Sequence, residues 1–217
     1  DLLLLQLRSD WTIGGRTHAA GSLLAADFEG YLAGKREFEV LFEPTERSTL
    51  SDFTPTLNHV ILNVLDNVRN RLYVLTRVDG KWQREPLPGM PEFGTVSVDA
   101  VDDEENDDYF LTLTDYVTPT SLLLGTVGKG APEKLKQLPA FFDAEGLVVT
   151  QHEATSKDGT RIPYFQVARK DLRTSRLVPD PDAPQRRSLA EGEARLRIDC
   201  FALTSNNITY AAFGDAM

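Results

Sequence analysis

One pattern is written twice between Asn58 and Pro139, and that internal repeat limits the folds open to this chain more than any other feature. The first copy runs HVILNVLD, NRLYVLT and KWQREPLP, from His59 to Pro88. The second runs YFLTLTD, SLLLGTV and EKLKQLP, from Tyr109 to Pro139. In each copy a short apolar run ends in Asp, a second apolar run follows, and a third closes in Leu-Pro. Asp66 and Asp115 mark one point of the repeat, and Pro88 and Pro139 another. A period of about 40 to 50 residues built from short strands is the signature of a β-propeller blade, one four-stranded sheet per repeat. A looser copy precedes these two: LLLLQLRSD ends at Asp10, GSLLAADF follows, and FEVLFEP closes at Pro44. The expected fold class is therefore all-β, a partial β-propeller of about three to four blades, with a short irregular or α/β tail.

Individual segments carry finer expectations. Leu2 to Leu7 is apolar throughout and reads as an inner strand covered on both faces. Gly21 to Phe28 is the next strand, with Ser22 inside it. Gly30 to Phe38 reads as a loop, and Phe38 to Phe42 as an outer strand. Ser48 to Thr56 reads as a polar link between blades. His59 to Leu65 should be a central strand, Asn67 to Asn70 a turn, and Arg71 to Thr76 the strand that pairs back. Asp79-Gly80 is a strong hairpin signal, and Lys81 to Glu85 alternates as an edge strand does. Pro86 to Gly94 is a Pro/Gly-rich crossover, and Gly94 to Val101 opens the next blade. Leu111 to Leu113, Leu122 to Val127 and Lys134 to Leu138 complete that blade, with Gly125, Gly128 and Gly130 punctuating a turn. Leu147 to His152 and the segment from Ser156 to Lys170 form a hairpin about Asp158-Gly159.

The predicted organisation is blades over 1–172, a linker over 173–187 and a tail of unknown fold over 188–217. The linker RTSRLVPDPDAPQRR is rich in Pro and Arg and poor in apolar residues. Ser188 to Glu191 matches a capping box for a short helix reaching about Arg195. LRIDCFAL and ITYAAF could pair as a hairpin about Thr204 to Asn207.

Composition narrows the function classes. The net charge is −10, whereas a nucleic-acid surface needs clustered Lys and Arg. No apolar run approaches the roughly 20 residues needed to cross a bilayer. DLLLLQL lacks the basic start and cleavage site of a signal peptide. The single cysteine, Cys200, gives no internal disulfide framework, so a reducing, cytoplasmic setting is expected. The chain opens on Asp1, not Met, as a segment of a longer protein would.

No chemistry-bearing constellation stands out, and no catalytic, cofactor-binding or metal-binding residue is assigned. A nucleophile elbow needs G-x-S-x-G, which the sequence lacks; Ser22 in AGSLL is the nearest serine beside a glycine. Of the three histidines, His18 follows a Gly-rich turn and should be exposed, and His59 should be a hydrogen-bonded strand residue. His152 precedes Glu153, but neighbours on a strand point to opposite faces and make a poor dyad. Cys200 sits at an alternating apolar position and reads as a small buried hydrophobe, not a nucleophile. Asp102 to Asp108, DDEENDD, lacks the spacers and Gly of a calcium loop and reads as a solvated loop between blades. Trp11 and Trp82 read as interblade packing. Asn207-Ile208-Thr209 fits a glycosylation acceptor, which is discounted without a secretory signal.

Taken together, LRSDWTIGG, AGSLLAADFEGYLAG, LFEPTERSTL, NHVILNVLDNVRNRLYVL, MPEFGTVSVDAVD, DDYFLTLTDYVTPTSLLLG, APEKLKQLPAFFDAEGL and QHEATSKDGTRIPYFQVARKDL resemble the propeller domain of the prolyl oligopeptidase family of serine peptidases. The resemblance covers Leu2 to Leu172. It implies a seven-bladed propeller that caps an α/β-hydrolase domain and admits only short peptides, which the whole enzyme cleaves after proline. After Leu172 the residues RTSRLVPDPD leave the family pattern, and nothing resembling the hydrolase domain follows. The resemblance thus implies a non-catalytic, substrate-gating portion of such an enzyme. Its partners would be the hydrolase domain and remaining blades, with short peptides met in the intact enzyme, no nucleic acid and no membrane. The alternative is a self-standing interaction module, and self-association through open blade faces is expected in either case.

Overall fold

The computed structural model describes residues 1–170. Residues 1–144 and the segment from Glu145 onward are separate compact units, taken here in turn.

The first unit contains three antiparallel sheets in succession. Blade I has three strands in the order β1 (Leu2–Gln6), β4 (Leu23–Asp27), β5 (Glu39–Phe42). A small hairpin, β2 (Trp11–Ile13) with β3 (Arg16–His18), interrupts it. Blade II is a four-stranded meander of β6 (Ser48–Pro55), β7 (His59–Asp66), β8 (Arg69–Val78) and β9 (Lys81–Pro86). Blade III repeats the meander with β10 (Thr95–Ala100), β11 (Asp108–Thr114), β12 (Ser121–Thr126) and β13 (Glu133–Gln137). The two written copies of the repeat are thus the second, third and fourth strands of blades II and III. The looser copy supplies β1, β4 and β5.

Burial follows from this stacking. A strand between two neighbouring blades must be apolar on both faces, and β7 is buried from Val60 to Val64. Val60, Leu62 and Val64 face blade I and join Leu23, Ala25, Leu41, Phe42 and Leu75 in one core. Ile61, on the other face, joins Leu72, Val74 and Leu87 with Val96, Val98, Tyr109 and Leu111 of blade III in a second. Blade II therefore belongs to both cores. Its outer strand β9 alternates and is mostly exposed, as expected, and Trp82 on it packs against the first core.

The turns follow local chemistry. Asp79 and Gly80 have φ of 49° and 76°, the pair of positive values that a tight β-hairpin turn requires. The β7–β8 turn uses Asn67 at φ 50° and Val68 at 60°. A β-branched residue is strained there. The equivalent turn of blade III closes differently: the Asp115 carboxylate accepts from the backbone N–H of Val117 (2.7 Å) and Thr118 (2.5 Å).

Several expectations need correction. Leu2–Gln6 is not covered on both faces; it is the edge of its sheet, with Leu2 exposed and Leu3 to Leu5 half-buried. Ser48 to Thr56 is no link, because all but its last residue form β6, the first strand of blade II. Its polar outward positions hide a strand paired with β7 on both sides of a register shift between Leu50 and Asp52. Phe28–Leu32, across the end of the expected strand and the start of the expected loop, forms a short helix, α1, capped by Asp27, whose carboxylate accepts from Gly30 N–H at 2.8 Å. Ser22 lies just before β4. Gly125 lies within β12, leaving Gly128 and Gly130, both at positive φ, to make the turn.

In the second unit, β14 (Leu147–Thr155) pairs along its whole length with β15 (Arg161–Arg169). Asp158-Gly159 makes the turn, with Gly159 at φ 87°. The Asp158 carboxylate accepts from Ser156 Oγ and from Thr160 N–H, and these bonds lower its pKa to about 2. The predicted linker, the helix from Ser188, the hairpin about Thr204 to Asn207, Cys200 and Asn207 all lie outside the described residues. Among the described residues no helix is long and apolar enough to cross a membrane.

Candidate functional site

A polar site of several hydrogen bonds joins blades II and III. The β6–β7 turn carries Thr56, Asn58 and His59, and the β10–β11 loop carries the acidic run. That loop lies within blade III, not between blades. Its end, Asp107, turns back toward blade II. The Asp107 carboxylate accepts from Thr56 Oγ1 (2.7 Å), the Asn58 backbone N–H (2.8 Å) and Asn58 Nδ2 (2.7 Å). Burial opposes its ionisation, but the Asn58 and Thr56 hydrogen bonds and the nearby His59 together bring its pKa below the ordinary value. Leu57 N–H donates to the Asn106 carbonyl beside it at 3.1 Å. Within the acidic run the residues differ in role: Asp102 caps its own loop, accepting from Glu104 and Glu105 N–H, and Asp108 accepts from Thr126 Oγ1 at 2.5 Å.

His59 lies between two groups at this junction. Its Nδ1 is 2.7 Å from Thr76 Oγ1, and its Nε2 is 3.9 Å from Asp107 Oδ2. The order Thr76, His59, Asp107 invites comparison with a catalytic triad. The second separation is beyond hydrogen-bond range, and the Asp107 carboxylate is engaged by three other donors. Thr76 lies within β8, paired on both sides, not on the sharp turn that presents a nucleophile. The arrangement is an interblade clamp.

Two further polar links cross the same interface. Thr54 Oγ1 donates to the Val98 carbonyl at 2.8 Å. Asn63 Nδ2 donates to the Val96 carbonyl at 2.7 Å and is oriented by Asn70, whose Nδ2 donates to Asn63 Oδ1. Arg77 of blade II reaches blade I instead, pairing with Glu39 at 2.8 Å.

The remaining candidates stay apart. His18 is not exposed: at 5% it is buried at the end of β3, because the Gly-rich turn folds its strand back onto Trp11 to Ile13. His59 is hydrogen-bonded within its strand pair, as expected. His152 contacts Thr150 and stacks on Tyr164, whereas Glu153 pairs with Arg161. Ser22 is buried with no histidine among its hydrogen-bond partners. Trp11 packs edge-on to Phe38, with ring centroids 5.1 Å apart. Among the described residues no group of three or more His, Cys, Asp or Glu is placed to hold a metal ion.

Consecutive four-stranded meanders, stacked face to face with apolar cores between them, make the first unit a run of β-propeller blades. No family model matches the chain. An uncharacterised peptidase of Sinorhizobium fredii is 38% identical over 176 residues, which is 80% of this chain and 24% of the relative. One from Rickettsia prowazekii is 30% identical over 171 residues, 77% and 23% of the respective chains. Among solved structures, a post-proline cleaving enzyme from Rickettsia typhi matches with a TM-score of 0.64 and 28% identity over 79% of this chain and 25% of its own. Prolyl oligopeptidase B from Galerina marginata shares the fold, with a TM-score of 0.55 and 20% identity over 69% and 21%. The chain is similar to part of the β-propeller domain of prolyl oligopeptidases. It spans about a quarter of the length of the relatives it matches.

Proposed function

We propose that these blades form part of the wall through which short peptides reach the active site of a post-proline-cleaving serine peptidase. The likeness that carries this reading runs over 176 residues, 80% of the chain, at 38% identity with a peptidase. In this role the blades bind no substrate covalently and move no proton. They exclude. Rigidity is then the property that matters, and the Asp107 clamp and the two interblade cores supply it by holding neighbouring blades in register. The chain on its own hydrolyses no peptide, since it carries no nucleophile elbow. The single cysteine supports a reducing, cytoplasmic setting.

A chimaera tests the reading. Residues 1–144 replace the matching blades of the Rickettsia typhi enzyme, and cleavage of a short proline peptide is compared with cleavage of a long, unfolded protein. The expected chimaera cleaves the peptide and spares the protein. A folded chimaera that cleaves both alike, or an isolated chain whose peptide cleavage a serine-directed inhibitor abolishes, would overturn the proposal.

A further inference from the structure

A cavity of about 240 Å³ opens where blade I meets blade II, with Arg77 of blade II on one side and the β4–α1–β5 segment of blade I on the other. Both blades furnish its walls, so it belongs to their junction. Small residues leave the space. Ala25 and Ala26 lie near the end of β4, and Gly30 lines the cavity from α1. Gly30 leaves no room for a side chain, because a Cβ there would stand 2.6 Å from Asp27 Oδ2 and 3.0 Å from Lys35 Cδ. Tyr31 and Phe38 meet edge to face, ring centroids 6.2 Å apart, and add an aromatic wall.

Charged side chains surround this apolar hollow, and they differ in what they already hold. The Asp27 carboxylate accepts from Gly30 N–H, and Glu39 pairs with Arg77 across the junction, each at 2.8 Å. Lys35 and Glu37 also line the cavity, and among the described residues neither ammonium nor carboxylate has a partner. A cation and an anion without partners, beside an apolar hollow, suit a ligand that carries both charges on a short apolar body. Small-molecule sites are built this way, apolar in lining with a few placed polar groups. A sphere of the cavity's volume is about 8 Å across, and an extended chain advances about 3.5 Å per residue, so about two residues fit.

We propose that this cavity binds a dipeptide with both ends free, Lys35 meeting its carboxylate and Glu37 its ammonium group. Arg77 adds positive charge on the carboxylate's side, as guanidinium groups do at carboxylate sites. The proposal rests on the reading that the parent enzyme handles short peptides and cleaves them after proline. Such cleavage leaves a fragment that ends in a proline carboxylate. The proline ring is a compact apolar body that suits the Ala25–Ala26 floor and the Tyr31–Phe38 wall. The blades then hold a short product as well as exclude a long substrate.

An NMR titration of the full chain with the dipeptide Ala-Pro tests this, read from the backbone amide shifts of Tyr31, Lys35 and Phe38. The expected Kd is on the order of 1 mM, as suits a small ligand held by exposed charges. Converting the peptide's carboxylate to an amide, or acetylating its amine, weakens binding by about three- to fivefold. The loss on amidation vanishes in Lys35→Gln, and the loss on acetylation vanishes in Glu37→Gln, because the charge each end met is gone. Both side chains are exposed, so neither change touches the core. Unmoved shifts at about 20 mM peptide overturn the proposal. So does a loss on amidation or acetylation that persists undiminished in the matching variant. The outcome is independent of the chimaera: binding with a chimaera that cleaves protein and peptide alike keeps this site and refutes the wall, and a selective chimaera without binding refutes this site alone.

Discussion

Replacing Gly125 with alanine adds one methyl group where the Tyr109 ring already fills the space. Gly125 lies opposite Tyr109 across β11 and β12, and a Cβ there would stand 2.4 Å from Cζ, 2.5 Å from Oη and 2.9 Å from Cε1 of that ring. Carbon atoms in contact sit about 3.5–4.0 Å apart, so the ring must withdraw by about 1 Å or more. It has nowhere to go: Tyr109 is 0% exposed, in a core with Leu111, Val96 and Val98. Overpacking of this kind costs about 1–3 kcal/mol. Alanine returns about 0.5–1 kcal/mol by losing less backbone entropy than glycine, which leaves a net loss of up to about 2.5 kcal/mol against a typical domain stability of about 5–15 kcal/mol. Urea unfolding of the full chain, followed by Trp11 and Trp82 fluorescence, measures it. The decisive comparison is the same change in a Tyr109→Leu background. Without the ring the added methyl group fills space, and the substitution becomes neutral or stabilising. Equal losses in the two backgrounds, or no loss in either, would refute the steric account.

Asp107→Asn removes a carboxylate whose pKa lies below its ordinary value near 3.8. Such a group adds stability at neutral pH that is lost as the pH falls through 3.8 and on through the lower folded-state value. Acid unfolding of the variant should therefore be less steep below about pH 4, and a titration slope matching that of the parent would count against the clamp. Leu62→Ala, at a position 0% exposed between blades I and II, should cost about 2–5 kcal/mol by urea unfolding; a loss below about 1 kcal/mol would mean the core closes over the cavity. Val68→Gly relieves a β-branched residue at φ 60° and should raise stability by about 1 kcal/mol, and a lowered midpoint would show that the turn carries no strain. Carboxyl NMR titration should place Asp158 near pH 2, rising in Ser156→Ala; an unmoved value would remove the Ser156 hydroxyl as a cause.

The repeat was legible because blades impose it: β7 and β11 must be apolar on both faces, and the Leu-Pro closures fall at equivalent points. Asp79-Gly80 was legible because few dipeptides adopt two positive φ values. What stayed hidden depends on partners distant in sequence. Ser48 to Pro55 reads as a loop because its outward positions are polar, and only pairing with β7 makes it a strand. His18 is buried by the hairpin that follows Gly14-Gly15, which no apolar pattern announces. Asp107 cannot be told from its six acidic or amide neighbours without the β6–β7 turn beside it. Gly125 resembles a turn glycine because the ring it makes room for lies 16 residues earlier. Blade II solves the same packing with Val60 opposite Leu75, so the volume is shared differently between equivalent pairs.

Membership of blade II in both cores makes the segment a keystone arrangement. Blades I and III have no core in common, so an opening that begins at either end breaks one set of contacts and leaves the other standing. Damage at one end is confined until it reaches β7, whose two faces answer to different neighbours. Amide hydrogens of β7 should then exchange last, ahead of total unfolding alone, while those of β1 and β13 exchange first. In a run of blades stacked in series, the ends tolerate fraying and the middle sets the lifetime.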